Sequence, residues 1–218
     1  AQALAGVSGY AEGRPEARRR SVEPKPVSKR ARDLVETFLA QHPGGGWLDT
    51  AAAASLVGAC RIPVVPTTLA LTSSEAVAAA AEVGYPVVVK AAAGAILHRS
   101  DEGGVVLGIG TPAGVRRAVR TIQGRWGRDC PVVVQPMHDG GVETAVGLIQ
   151  DPTVGPIVMA ALGGTATDLL ADRSFRLPPL GRADARAQIR ALRSAPLLFG
   201  YRGSAPSDTH ALEDILMR

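Results

Sequence analysis

Short runs of β-branched residues set the strongest constraint on the fold. PVVVKA at 86–91, VVLGI at 105–109 and PVVVQPM at 131–137 read as buried strands. VETAVGLI at 142–149 and PIVMAALGG at 156–164 are of the same type. Between these runs the apolar spacing becomes helical. Leu34, Val35, Phe38 and Leu39 share a face of a helix starting at Lys29, which Pro43 and Gly44–Gly46 stop. Asp49 or Thr50 can cap a second helix, AAAASLVGAC, and RIPVVP at 61–66 reads as a turn into a short strand. Ser73 and Ser74 open a third helix, with Glu75 in the first turn where the dipole favours an acid, and it ends at Gly84. Thr111 and Pro112 start a fourth helix, with Val115, Ala118, Val119 and Ile122 on one face. Helix returns near 183–193 and 209–217.

Helices alternate with strands in the first half, and hairpin-like strands dominate the middle. This pattern predicts an α/β fold of two lobes rather than a single doubly wound sheet. The expected division is an arm or interdomain linker at 1–28 and a linker helix at 29–46. An N-terminal lobe at 47–130 and a C-terminal lobe at 131–218 follow. Aromatics make up only 4% of the 218 residues, so Val, Leu, Ile and Ala must fill the core. With 46% hydrophobic residues, disorder throughout is excluded.

The net charge of +4 suggests nucleic acid until it is divided along the chain. Residues 1–32 carry +5, and the remainder carries −1, so the folded part is nearly neutral. The basic arm, with Pro15, Pro24 and Pro26, reads as a solvated linker. No aromatic interleaving supports nucleic-acid binding, and none is expected. No apolar run approaches the roughly eighteen residues of a membrane span. Two cysteines, Cys60 and Cys130, fit a reducing, cytoplasmic setting. The chain opens at Ala1 without a signal peptide, as expected for a segment of something longer.

Lys90 is the first candidate for chemistry. Of three lysines, Lys25 and Lys29 fall in or beside the arm, and only Lys90 falls within the lobes. It sits at the end of an apolar strand, where a compact ammonium suits a phosphate. The stretch HRSDEGGVVLGIG is the second. Gly103 and Gly104 allow a backbone to approach an anion closely, and His98 and Asp101 precede them. Glu143, Asp151, Asp168 and Asp172 form the third set, because nucleotide-bound Mg²⁺ takes a few carboxylate oxygens besides phosphate and water. The sequence has no GxxxxGK[ST] loop, no GxGxxG opening a helix, no GxSxG or HExxH, and no cysteine or histidine pair for zinc.

Taken in order, the motifs resemble the ATP-grasp domain of NDP-forming acyl-CoA synthetases, the ADP-forming acetate–CoA ligase type. They are CRIPVV at 60–65, GYPVVVKA at 84–91, HRSDEGGVVLGI at 98–109 and ETAVGLIQDPTVGP at 143–156. LGGTATDLLADRSFRLPPL at 162–180 and LLFGYRG at 197–203 complete the series. The resemblance covers roughly residues 30–218 and implies a two-lobed ATP-grasp fold.

By position, the resemblance implies that Lys90 holds nucleotide phosphate and that Gly103 and Gly104 form a flexible flap. Gln135 and Met137 correspond to the hinge beside adenine. Glu143 corresponds to an acid facing the nucleotide, and Asp168 to the family's metal-facing Glu. His98 matches a histidine that takes the phosphoryl group, with Asp101 placed to orient it. The implied cofactors are ATP or ADP and Mg²⁺. The implied partners are CoA-binding and ligase domains of the same protein or of a partner subunit. Two departures stand out. Asp168 is one methylene shorter than Glu, and the chain stops at Met217-Arg218 before a D-x-N-P segment, so a truncated domain with an incomplete metal site is expected. The same domain also occurs in synthetase-like regions of GNAT-type protein lysine acetyltransferases. A regulatory module in such a protein, or a purely structural domain, is therefore an alternative to a catalytic module.

Overall fold

In the computed structural model, residues 28–92, 103–164 and 167–218 are described, apart from the side chain of Asp168. They fall into two compact units, divided between Asp139 and Gly140.

The first unit begins with helices α1 (Lys29–Gln41) and α2 (Thr50–Ala59). The Ser28 side chain caps α1 through the Ala31 N–H, and Asp49 caps α2 through that of Ala52. The body of the unit follows as β1 (Thr68–Ala70), α3 (Ser73–Val83), β2 (Val87–Ala91), β3 (Val105–Ile109), α4 (Pro112–Trp126) and β4 (Val132–Pro136). The strands form one antiparallel sheet in the order β1-β4-β2-β3. Helices α3 and α4 cover one face of it. Ala76, Ala79 and Ala80 of α3 and Val115, Ala118, Val119 and Ile122 of α4 bury against Val87, Val89, Val132 and Val134. Small residues on α3 allow the helix to lie close to the sheet, which is how a core poor in aromatics reaches close packing. A capping box between Thr72 and Glu75 starts α3. Thr111 caps α4, with Pro112 in its first turn.

Two expectations are corrected here. RIPVVP turns at Arg61 as expected but holds no strand; pairing begins only at Thr68. Pro63 and Pro66 each lack a donor, so this hydrophobic stretch cannot sustain a ladder. The boundary also falls after Asp139 rather than at 130/131. Strand β4 lies between β1 and β2, so it cannot belong to the later unit.

The second unit, described from Gly140 to Arg218, is built on the sheet β5-β6-β7: β5 (Thr144–Asp151), β6 (Gly155–Leu162) and β7 (Arg173–Arg176), all antiparallel. Helices α5 (Thr167–Leu170), α6 (Arg182–Arg190), α7 (Ala195–Leu198) and α8 (Thr209–Leu216) complete it. Val158, Ala160, Leu180, Ala185, Ile189, Leu198 and Leu216 form its core. Gln188 is fully buried on α6, and its amide donates to the carbonyls of Val158 and Ser174, tying the helix to two strands. Glu213 on α8 is nearly buried and pairs with Arg186 and Arg182 of α6. The hydrogen bond from Arg186, supported by Arg182, holds the Glu213 carboxyl below the usual range against the opposing effect of burial.

Candidate functional site

Strand alternation places Lys90. Val87, Val89 and Ala91 point into the helix-covered core, so Val88 and Lys90 face the other side of the sheet. On β4, Val132 and Val134 enter the same core, which leaves Val133 and Gln135 beside Val88 and Lys90. Lys90 pairs with Val133 and Val88 with Gln135. Lys90 and Gln135 are therefore diagonal neighbours on one face, roughly 7–8 Å apart along the pleat. Both are half-buried.

The strand ends supply the other candidates of this unit. The Met137 N–H donates to the Pro86 carbonyl at 2.9 Å, holding the exit of β4 against the entry of β2. Gly103 has φ +69°, a conformation that favours glycine. Gly104 is buried, and its carbonyl accepts from the Ala91 N–H at 2.8 Å, so it anchors the start of β3 to the end of β2. His98 and Asp101 lie outside the described residues.

The second unit places Glu143 immediately before β5, exposed beside the Gly163-Gly164 turn. The Gly163 N–H donates to the Glu143 carbonyl at 2.8 Å. A Cβ on Gly164 would stand 2.9 Å from Glu143 Oε2, so the missing side chain is what lets the carboxylate lie over the turn. The same turn starts α5: Thr167 Oγ1 donates to the Gly164 carbonyl at 2.6 Å, and Asp168 follows in the helix. The structure thus brings Glu143 and the helix bearing Asp168 to one glycine turn.

The two remaining acids of the sequence set have structural duties. Asp151 accepts from the N–H groups of Thr153 and Val154 and closes the β5–β6 hairpin. Asp172 is nearly buried and accepts from the N–H groups of Arg193 and Ser194 at 2.9 and 2.7 Å. Burial pushes its carboxyl up, but those hydrogen bonds and the Arg193 charge outweigh burial and hold it below its ordinary value. Among the described residues no cluster of three or more His, Cys, Asp or Glu could hold a metal by itself. Glu143 fits one carboxylate oxygen to a cation whose other ligands come from phosphate and water.

Thr67 escaped the sequence reading. Gln135 Nε2 donates to Thr67 Oγ1 at 2.7 Å, continuing the β1–β4 register past Thr68 and Val134. The contact spans 68 positions of sequence, and only the pairing of β4 with β1 reveals it.

A family model described as an ATP-grasp domain matches residues 39–218. The chain belongs to this family. The beta subunit of ADP-forming acetate–CoA ligase I from Pyrococcus furiosus is 39% identical over 167 residues, which cover 72% of this chain and 70% of that subunit. ADP-forming acetate–CoA ligase I from Archaeoglobus fulgidus is 34% identical over 195 residues. There the match spans 87% of this chain but 28% of the longer relative. A solved structure of the dinucleotide-forming acetyl-coenzyme A synthetase 1 from Ca. Korarchaeum cryptofilum superposes with a TM-score of 0.71. It is 36% identical and covers 86% of this chain and 82% of that one. That protein was solved with coenzyme A and Mg-AMPPCP, its phosphohistidine segment pointing towards the nucleotide-binding site. The relatives are thus ligases that carry this ATP-grasp domain. Among the described residues, no helix is long and apolar enough to cross a membrane.

Proposed function

We propose that this chain is the nucleotide-binding part of an ADP-forming acyl-CoA ligase. Within the ATP-grasp family, the observation that carries this reading is the shared face of β2 and β4. It sets a half-buried ammonium, Lys90, diagonal to a half-buried amide, Gln135. A nucleotide laid along these strands puts phosphate at Lys90 and the base at Gln135 and Met137. Gly103 and Gly104 border the phosphate end. Glu143 and Asp168 are the candidate oxygen donors for Mg²⁺, which neutralises phosphate charge when bound. The reaction served is acyl-CoA + ADP + phosphate ⇌ acid + CoA + ATP. His98 is the proposed relay: its ring nitrogen forms a P–N bond as the phosphoryl–oxygen bond of the donor breaks, and Asp101 orients the ring. Acyl and CoA chemistry falls to other ligase domains or a partner subunit. No observation on the chain favours the acetyltransferase setting or a purely structural role.

The test is calorimetry with ATP and Mg²⁺. Lys90→Ala should weaken binding by about 1.5–3 kcal/mol, the worth of a charge-assisted phosphate contact. Lys90→Arg should restore only part, because a planar fork needs more room than an ammonium. Equal affinity in Lys90→Ala and the parent removes Lys90 from the site.

A further inference from the structure

Arg182, Arg186 and Arg190 stand four residues apart on α6, so they share one face. On α8, His210, Glu213 and Asp214 share a face in the same way. The two helices meet antiparallel, and these residues pair as rungs. Arg182 donates to both Asp214 and Glu213. Arg186 Nε donates to Glu213 Oε1 at 2.9 Å. Two cations thus meet two carboxylates. At the third rung a cation, Arg190, shares a cleft with an imidazole, His210.

No nearby acid is left for Arg190. Glu213 also lines the cleft, but Oε1 is taken by Arg186, and Oε2 by Arg182 at 3.2 Å and Arg186 at 3.4 Å. Asp208, just before α8, gives its carboxylate to the Ala211 N–H at 3.0 Å. Among the described residues Arg190 has no acidic partner; its guanidinium lies 4.6 Å over the Phe199 ring. That stacking holds the guanidinium by its face and leaves its N–H groups, all in one plane, for a second partner. The cleft measures about 390 Å³, within the range of small-ligand sites, and Ile189, Phe199 and Thr209 complete its lining.

We propose that this cleft is an anion site for a phosphate group, whose charge takes the place of the carboxylate that the third rung lacks. Arg190 and a His210 ring N–H donate to phosphate oxygens, and the Thr209 hydroxyl adds a third donor. Donors from three separate side chains suit a tetrahedral oxyanion, whereas a carboxylate needs only the guanidinium fork. Ile189 and Phe199 form an apolar wall for an organic body carried on the phosphate. The site lies wholly within the second unit and does not depend on the nucleotide reading of the Lys90 face.

The experiment is calorimetry on the full chain with inorganic phosphate, phenyl phosphate and benzoate, with far-UV circular dichroism as the folding control. Inorganic phosphate should bind, phenyl phosphate should bind more tightly, and benzoate should bind least. Arg190→Ala should weaken both phosphates by about ten-fold or more. His210→Glu supplies Arg190 with the missing carboxylate, so it should abolish phosphate binding and raise the urea midpoint. It also reads the site should Arg190→Ala fail to fold. Lys90→Ala should leave phenyl phosphate binding unchanged. No binding of either phosphate by the parent overturns the proposal, as does unchanged affinity in Arg190→Ala or His210→Glu. Loss of binding in Lys90→Ala would move the anion to the β2–β4 face, and benzoate matching phenyl phosphate would overturn the phosphate assignment.

Discussion

One glycine shows how residue-scale geometry makes room for a carboxylate. Gly164 has φ +78°, and any Cβ there would press on the Glu143 carboxylate. Gly164→Ala should therefore destabilise the protein by about 1–2 kcal/mol from the left-handed backbone, with little added by Glu143, whose exposed carboxylate can swing aside. The penalty should be nearly the same in a Glu143→Ala background. Denaturant unfolding of the two single variants and the double variant checks this additivity, and a large coupling would mean that the carboxylate is held firmly over the turn. At this scale the sequence was partly legible. Lys90 was visible because it is the one lysine ending a β-branched run, whereas Gln135 was reached only through the family resemblance. Thr67 was invisible because a threonine after two prolines has no local signature; its meaning comes from the strand opposite. Asp151 and Asp172 looked like metal donors because an acid in a loop offers the same oxygens to a cation and to a backbone N–H. Only the geometry shows that the N–H groups of Thr153, Val154, Arg193 and Ser194 hold them.

At the scale of elements, strands and helices followed from local pattern, and their pairing did not. Val87–Val89 and Val132–Val134 announce strands, yet nothing local places β4 between β1 and β2. That order is decided by which faces α3 and α4 can cover together. The second unit gives an element-level prediction for acid. Asp172 ties the α6–α7 connection to the start of β7, and Glu213 joins α8 to α6. Both carboxyls titrate below their unfolded values. A depressed folded pKa means that the unfolded chain binds the proton more readily, so these groups contribute stability above the unfolded pKa of about 4. That contribution is lost as pH falls through their folded values. Asp172→Ala should cost about 1–3 kcal/mol at neutral pH, because the N–H groups of Arg193 and Ser194 lose their acceptor. The deficit should shrink in acid, where the parent carboxyl is protonated. Urea midpoints measured from pH 7 downwards check it; a constant deficit would separate Asp172 from the acid transition.

On the scale of the whole molecule, two cores stand in sequence, one dominated by valine and alanine and one holding Leu180, Ile189, Leu198 and Leu216. Candidate groups occur in both units, and the chemistry proposed for them passes a phosphoryl group on to a partner. His98 gives that proposal its most direct readout. A neutral imidazole attacks phosphorus through one ring nitrogen while a carboxylate, here Asp101, can hold the proton on the other. The product has a P–N bond, which is labile in acid and stable in base, unlike a phosphoserine or phosphothreonine ester. Incubating the complete enzyme with labelled ATP and Mg²⁺ should therefore yield acid-labile, base-stable label. His98→Ala should lose it while keeping ATP affinity, because the ring receives the phosphoryl group without anchoring the nucleotide. Asp101→Asn should slow labelling by about 10²-fold or more, the usual worth of a positioned acid–base group, without changing the final product. Calorimetry on the same variants separates transfer from binding. Label that persists unchanged in His98→Ala places the acceptor elsewhere and leaves Lys90 and Gln135 as a binding site only.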